Sequence, residues 1–285
     1  MKPTGFAIAV AQMKFRAAIS DNVSWITNVI HSSARAGADA ILFPECAVTG
    51  YNCDFARVSR SEIAAALQTI ASEARAARRY VLVGSPTFKG RKRFNSLVVF
   101  DPRGREVFRY SKIHLTARDG RFFTPGNTLA FFRLAGVPCT ALICHERRYP
   151  ELVRLPVMLG AQIVLHPNAV LNSLLVSKSK RHGRDGIAVR AFENEVYYLF
   201  ANSVGLQGDG LWSAGDSKIV APDSRVLAVA NNRDETVIQA ELDLSLAGRR
   251  YARDALQRPV FLRRHWKEMM AACKRQLRRS SARSG

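Results

Sequence analysis

The chain has 285 residues, 47% of them hydrophobic, and carries 43 Lys and Arg against 23 Asp and Glu, a net charge of +20. No run approaches the roughly 18 to 20 apolar residues a membrane span requires. The apolar start around Phe6 and Val10 gives way to Gln12, Lys14 and Arg16 without a signal-peptide pattern, so a cytoplasmic protein with no membrane partner is expected. Five cysteines at irregular spacing, an odd number without C-x-x-C pairs, argue against a disulfide framework and against zinc.

Half of the charge excess sits at the carboxyl end. Residues 245–285 hold twelve Lys and Arg against Asp254 and Glu268, a balance of 12 − 2 = +10. The composition breaks there, which predicts one domain over 1–245 and a basic extension over 246–285. A solvated tail is the expected reading. Nucleic-acid binding is the alternative, but no zinc-finger, RRM or KH signature accompanies the charge.

In chain order, Phe6 to Ala11 reads as a buried strand, followed by a helix on which Val23, Ile26, Val29 and Ile30 recur and which Asp21 is expected to cap. Ala40 to Phe43 is a second buried strand running into Pro44 and Glu45. Residues 61–77 form an alanine-rich helix with Ile63, Leu67 and Ile70 on one face, and Tyr80 to Val83 is a strand expected to stop at Gly84. Strands Ser96 to Phe100 and Val107 to Lys112 flank Asp101-Pro-Arg-Gly104, which is turn chemistry and predicts a hairpin. Thr140 to Ile143 is a strand ending at Cys144, and Pro150 with Glu151 opens a helix. Ile163 to Leu165, a helix over 186–195 and Val196 to Ala201 continue the alternation. Lys218 to Val220, Val226 to Val229 and Val237 to Leu242 predict a meander. The whole pattern is α/β.

Glu45, Lys112 and Cys144 each end a predicted strand, where α/β folds place their sites. A thiol needs a base, and its attack on a carbonyl creates an oxyanion needing a partner; a carboxylate and an ammonium supply both. The helix start after Cys144 is expected to lower the thiol pKa. Each residue taken singly also reads as structural: a buried cysteine, a surface glutamate, a lysine closing a hairpin strand.

At these residues the sequence resembles the nitrilase, or carbon–nitrogen hydrolase, superfamily. Leu42-Phe-Pro-Glu45 with Gly50-Tyr51 resembles its general-base block, and Phe94-Asn95-Ser96 with Tyr110-Ser-Lys112 its lysine block. Leu142-Ile-Cys144-His-Glu-Arg-Arg148-Tyr-Pro-Glu151 resembles its nucleophile block. Arg190-Ala-Phe-Glu193-Asn194, Ala201-Asn202 and Gly215-Asp-Ser217 continue the match, in order, over about residues 5 to 245. The resemblance implies a four-layer α-β-β-α sandwich, no cofactor and no metal, a small-molecule amide or N-carbamoyl substrate, and a homo-oligomer with Pro259 to Leu262 and Trp266 reaching a neighbour. It implies Glu45 as base, Cys144 as nucleophile, and Lys112 with the His145 N–H as oxyanion partners. Where amidase branches carry a second glutamate seven residues before a glycine, this chain has Asp119 before Gly126, expected still to orient substrate and Lys112.

Tyr51, His145, Arg147, Arg148 and Asn168 are the candidate substrate-binding residues. The Arg147-Arg148 pair resembles that of N-carbamoyl-amino-acid amidohydrolases and suits a carboxylate; Arg148 also reads as an ion-pair partner for Glu151 or Glu193. Cys46 and Cys53 read as structural, His114 as a core histidine, and His166 as a pocket residue. The basic run Ser177 to Arg184 reads as a loop at the pocket rim. A nitrilase, an acyltransferase or a non-catalytic nucleic-acid-associated protein on the same scaffold are the other readings.

Overall fold

Strand alternation decides the architecture. The described residues of the computed structural model are 5–179, 186–207 and 210–281. The first half runs β1 (Gly5–Gln12), α1 (Ile19–Arg35), β2 (Ala40–Leu42), α2 (Arg60–Ala77), β3 (Tyr80–Lys89), β4 (Lys92–Phe100) and β5 (Glu106–Ser111). Next come β6 (Phe132–Leu134), β7 (Val137–Ala141), α3 (Glu151–Leu159), β8 (Ile163–Pro167), β9 (Asn172–Ser173), α4 (Leu174–Ser179) and α5 (Ile187–Asn194). The remainder is β10 (Tyr197–Ala201), β11 (Val204–Leu206), β12 (Leu211–Ala214), β13 (Lys218–Val220), β14 (Val226–Val229), β15 (Thr236–Asp243), α6 (Arg250–Ala255) and α7 (Arg263–Ser281).

Two six-stranded mixed sheets result, ordered β15-β1-β2-β3-β4-β5 and β14-β13-β10-β8-β7-β6, with β11-β12-β9 as a small third sheet. Successive strand residues point to opposite faces. On β1, Phe6, Ile8 and Val10 face the inter-sheet core, where Leu165, Tyr197 and Leu199 meet them from the second sheet. Ala9 and Ala11 face the other way, into a cluster that Ile26 and Ile30 of α1 and Ile63 and Ile70 of α2 complete. Tyr198 and Phe200 of β10 face a third cluster with Val153 and Val157 of α3 and Ile187 and Ala191 of α5. Helix, sheet, sheet, helix is therefore the layer order, the sandwich that the resemblance implies.

Several local expectations change. Asp21 lies in the first turn of α1, whose N-cap is Ala18 without a side-chain cap bond. Instead, buried Asn22 clamps the approach, accepting from Arg16 N–H and donating to Arg16 O, both at 2.9 Å. β3 runs through Gly84 and pairs with β4 over nine positions from Val81↔Phe100 to Lys89↔Lys92. The three late strands are not one meander: β13 and β14 pair, whereas β15 crosses to the first sheet and lies antiparallel to β1 from Gly5↔Asp243 to Gln12↔Thr236. The basic extension holds two helices, and Ala252, Met270 and Cys273 enter the third apolar cluster while Val260 and Phe261 stay exposed. Of the basic run Ser177 to Arg184, residues 177–179 end α4 and 180–184 lie outside the described residues. No helix among the described residues is long and apolar enough to cross a membrane.

Candidate active site

Glu45 lies just past β2, Lys112 past β5, Cys144 past β7 and Asn168 past β8, so strand ends of both sheets converge. Glu45 is held by a close backbone approach. A Cβ on Gly84 of β3 would strike the Pro44 carbonyl oxygen and come within 2.6 Å of Cys46 N and 2.8 Å of Glu45 Cα. Glycine lets the Glu45 segment lie directly on β3. Gly126 does the same beside Lys112, where a Cβ would strike Ser111 O, and its N–H donates to Lys112 O at 2.8 Å.

Glu45, Lys112 and Asp119 are buried together. Lys112 Nζ donates to Glu45 Oε1 and to Asp119 Oδ2, both at 2.8 Å. Asn95 of β4 adds a 2.7 Å bond from Nδ2 to the same Glu45 Oε1. Asp119 Oδ2 also accepts from Thr116 N at 3.0 Å and Oγ1 at 2.9 Å, and Oδ1 accepts from Tyr51 OH at 2.8 Å. Asp119 thus supports the lysine directly despite its short side chain. Glu45 Oε2 has no hydrogen-bond partner among the described residues.

Electrostatics assigns the resting charges. Burial would push Lys112 down, but Glu45, Cys144 and Asp119 around it outweigh that and hold the ammonium well above its ordinary value. Burial pushes Asp119 up, yet Lys112 and the Thr116 and Tyr51 bonds leave its pKa lowered. At Glu45 burial prevails and the pKa is raised. Burial pushes the Cys144 thiol up to about 12; the Glu45 carboxylate adds to this, while Lys112 and the Ala169 N–H oppose it. The expectation of a helix-lowered thiol fails for a physical reason: Cys144 opens only a single 3₁₀ turn, Cys144–Arg148, and desolvation dominates it. The resting nucleophile is a thiol facing a carboxylate.

Cys144 sits at φ +54°, a left-handed backbone that a non-glycine residue adopts at a cost. Its carbonyl bonds His166 Nε2 at 3.0 Å, and His166 Nδ1 meets Tyr198 OH at 3.0 Å. His166 is a buried prop under the nucleophile's backbone. Glu146 is the support that sequence reasoning passes over. Its fully buried carboxylate accepts from Ile143 N at 2.7 Å, Ile113 N at 2.7 Å, His114 N at 3.1 Å and Tyr110 OH at 2.9 Å. One carboxylate therefore ties the cysteine turn to the lysine segment. Asn95 is the other silent member, since it also receives Cys46 Sγ at 3.6 Å and its carbonyl accepts from Lys112 N at 2.9 Å. Its place in the Phe94-Asn95-Ser96 block was the available signal for it.

The remaining candidates divide. Tyr51 and Asn168 are buried within the cluster's surroundings; His145 is half-buried, edge-on to Tyr149, with its pKa lowered by burial and by Lys112, Arg148 and Arg147. Arg147 is half-buried and Arg148 exposed, and neither makes a hydrogen bond or ion pair among the described residues. Arg148 does not pair with Glu193, which is held by Arg190 at 2.8 Å. His114 is half-buried and stacks on Tyr149 with centroids 3.5 Å apart. Cys46 lies in the core, as expected for a structural residue, and Cys53 packs against it. Among the described residues no group of three or more His, Cys, Asp or Glu is arranged to hold a metal ion.

A sequence model described as carbon–nitrogen hydrolase matches residues 7–251. A protein named nitrilase from Pyrococcus abyssi is 32% identical over 235 residues, 79% of this chain and 84% of that one. An (R)-stereoselective amidase from a Pseudomonas species is 32% identical over 233 residues, 80% of this chain and 82% of its own length. Among solved structures, an amidase of the nitrilase superfamily from Nesterenkonia AN1 superposes with a TM-score of 0.78 at 25% identity, covering 92% of this chain and 97% of that one. The chain is an enzyme that belongs to the carbon–nitrogen hydrolase family.

Proposed function

We propose that this enzyme hydrolyses the C–N bond of a small linear amide or N-carbamoyl compound through a thioester on Cys144. The observation that carries the reading is the buried Glu45–Lys112–Asp119 network beside the Cys144 thiol, two carboxylates around one ammonium at 2.8 Å. Glu45, raised in pKa and with Oε2 uncommitted, takes the thiol proton as sulfur attacks the carbonyl. Lys112 Nζ and the His145 N–H stabilise the tetrahedral oxyanion; His145 stands at the start of a helical turn, whose first N–H groups lack intrahelical partners. The same carboxyl group then returns the proton to the leaving nitrogen, the C–N bond breaks and the thioester remains. Water, deprotonated by Glu45, attacks that carbonyl, and the acid leaves as the thiol is restored. Asp119 keeps Lys112 charged and aimed.

The relatives' names, nitrilase and stereoselective amidase, support a small non-peptide substrate. Arg147, half-buried and unpaired among the described residues, favours a substrate carrying a carboxylate, and with it N-carbamoyl amino acids. We place the enzyme in the cytoplasm as a homo-oligomer, with 1–245 as the catalytic domain and 246–285 as its basic extension. Product analysis separates the readings. Ammonia with an acid marks an amidase or nitrilase; ammonia with carbon dioxide and an amine marks an N-carbamoyl hydrolase; a new amide marks an acyltransferase. Steeply salt-dependent DNA binding without turnover on any substrate would replace all three.

A further inference from the structure

The loop after β8 crosses between the layers at the active site: Val170 packs on the inter-sheet core, and Ala169 and Leu171 on the cluster of the first sheet. β7 and β8 pair side by side and His166 Nε2 lies 3.0 Å from the Cys144 carbonyl oxygen, so Asn168, two residues after His166 and fully buried, stands beside the nucleophile's turn. The orientation of its amide is fixed by a chain of bonds that begins at a backbone carbonyl. Gly215 O can only accept, and Asn202 Nδ2 donates to it at 2.7 Å. Asn202 must therefore present Oδ1, which accepts from Val170 N at 3.5 Å and from Asn168 Nδ2 at 2.7 Å. Asn168 is thus left with its oxygen pointing away from Asn202, and that Oδ1 is buried with no hydrogen-bond partner among the described residues.

A buried amide oxygen without a donor costs free energy that a ligand donor recovers. Resting on the hydrolase reading above, we infer that Asn168 Oδ1 is a specificity determinant that accepts an N–H from the nitrogen on the scissile carbonyl, a primary carboxamide or a ureido group. It then selects amides over esters of the same acyl group, because an ester oxygen offers no proton and leaves Oδ1 unpaired. Asn202 and the Gly215 carbonyl act as its positioning partners.

The test compares wild type with Asn168→Leu on matched pairs, an aliphatic or N-carbamoyl amide and the methyl ester of the same acid, with thermal melting to verify folding. The expected result is that the amide-to-ester ratio of kcat/KM falls about tenfold in Asn168→Leu, the size of one lost neutral hydrogen bond. In the Cys144→Ala background, which binds without turnover, the ratio of amide to ester affinity should fall in the same direction on adding Asn168→Leu. A ratio that stays constant, whether both substrates slow together or neither changes, overturns the inference and leaves Asn168 a structural residue. Wild type that cleaves neither substrate, or amide cleavage that persists in Cys144→Ala, instead overturns the hydrolase reading itself.

Discussion

At Cys144 the chemistry depends on a thiol that burial keeps protonated, with its pKa at about 12. The pH profile derives from that. Glu45 is the base, and its pKa is raised above the ordinary 4.5, so kcat/KM should rise with pH through an acid limb whose midpoint lies above 4.5. No alkaline limb from the thiol should intervene near neutrality. A profile with its acid limb below 4.5 would contradict the assignment of Glu45. Linkage sets how its two partners contribute to stability, in opposite directions of pH. Lys112 is raised above 10.5, so its contribution to stability is complete below that value and is lost as pH climbs through the raised one. Asp119 is lowered below 3.8, so its contribution is present above 3.8 and is lost as pH falls through the lowered value. Removing the lysine uncouples the network: Lys112→Met should lower unfolding free energy by about 3 to 5 kcal/mol in denaturant titration, because two buried carboxylates lose their counter-charge. Unchanged stability would mean that the carboxylates do not need it. That Glu45, Lys112 and Cys144 stand together was legible in the sequence because each follows a predicted strand and falls in a block of the family resemblance. The raised thiol was not, since helix-start logic ignores how deeply the turn is buried.

Among the elements, supports matter more than sequence neighbours. Glu146 joins the cysteine turn to segment 113–114 across 32 and 33 residues of chain, and no local pattern announces such a bond. Glu146→Ala leaves four donors unpaired at the junction of two catalytic segments. It should lower kcat by about a hundredfold, the cost of a misplacement near one ångström, and should lower the melting temperature as well. Wild-type kcat in a destabilised variant would confine Glu146 to stability. Gly84 illustrates how a correct local rule misleads. Glycine after Tyr80 to Val83 looks like a strand end, yet β3 continues, and the glycine is there because the Glu45 backbone lies against it. α1, α2, α3 and α5 and the Asp101-to-Gly104 hairpin read correctly, because periodicity and turn chemistry are local.

For the whole molecule, the layers were legible only once the motifs suggested a family, and the crossing of β15 to β1 was not legible at all. Its alternation resembles that of β13 and β14, and only the partner sheet distinguishes them. The carboxyl-terminal stretch carries +10 of the +20 net charge, and charge alone reads as a solvated tail. Instead α6 and α7 return Ala252, Met270 and Cys273 to the apolar cluster over the second sheet. Truncation after residue 245 should therefore lower the melting temperature and expose apolar surface to a hydrophobic dye, even though it removes charge repulsion. A truncated chain that melts like wild type would restore the picture of a detached tail.

The role of Cys144 as nucleophile is tested most directly by amide turnover in wild type against Cys144→Ala, monitored as ammonia release across N-carbamoyl amino acids, ω-amides, aliphatic amides and nitriles. Wild type should release ammonia from at least one amide or N-carbamoyl class, with an acyl mass on the Cys144 peptide after acid quenching, and the variant should release none. Release that survives in folded Cys144→Ala would contradict that role.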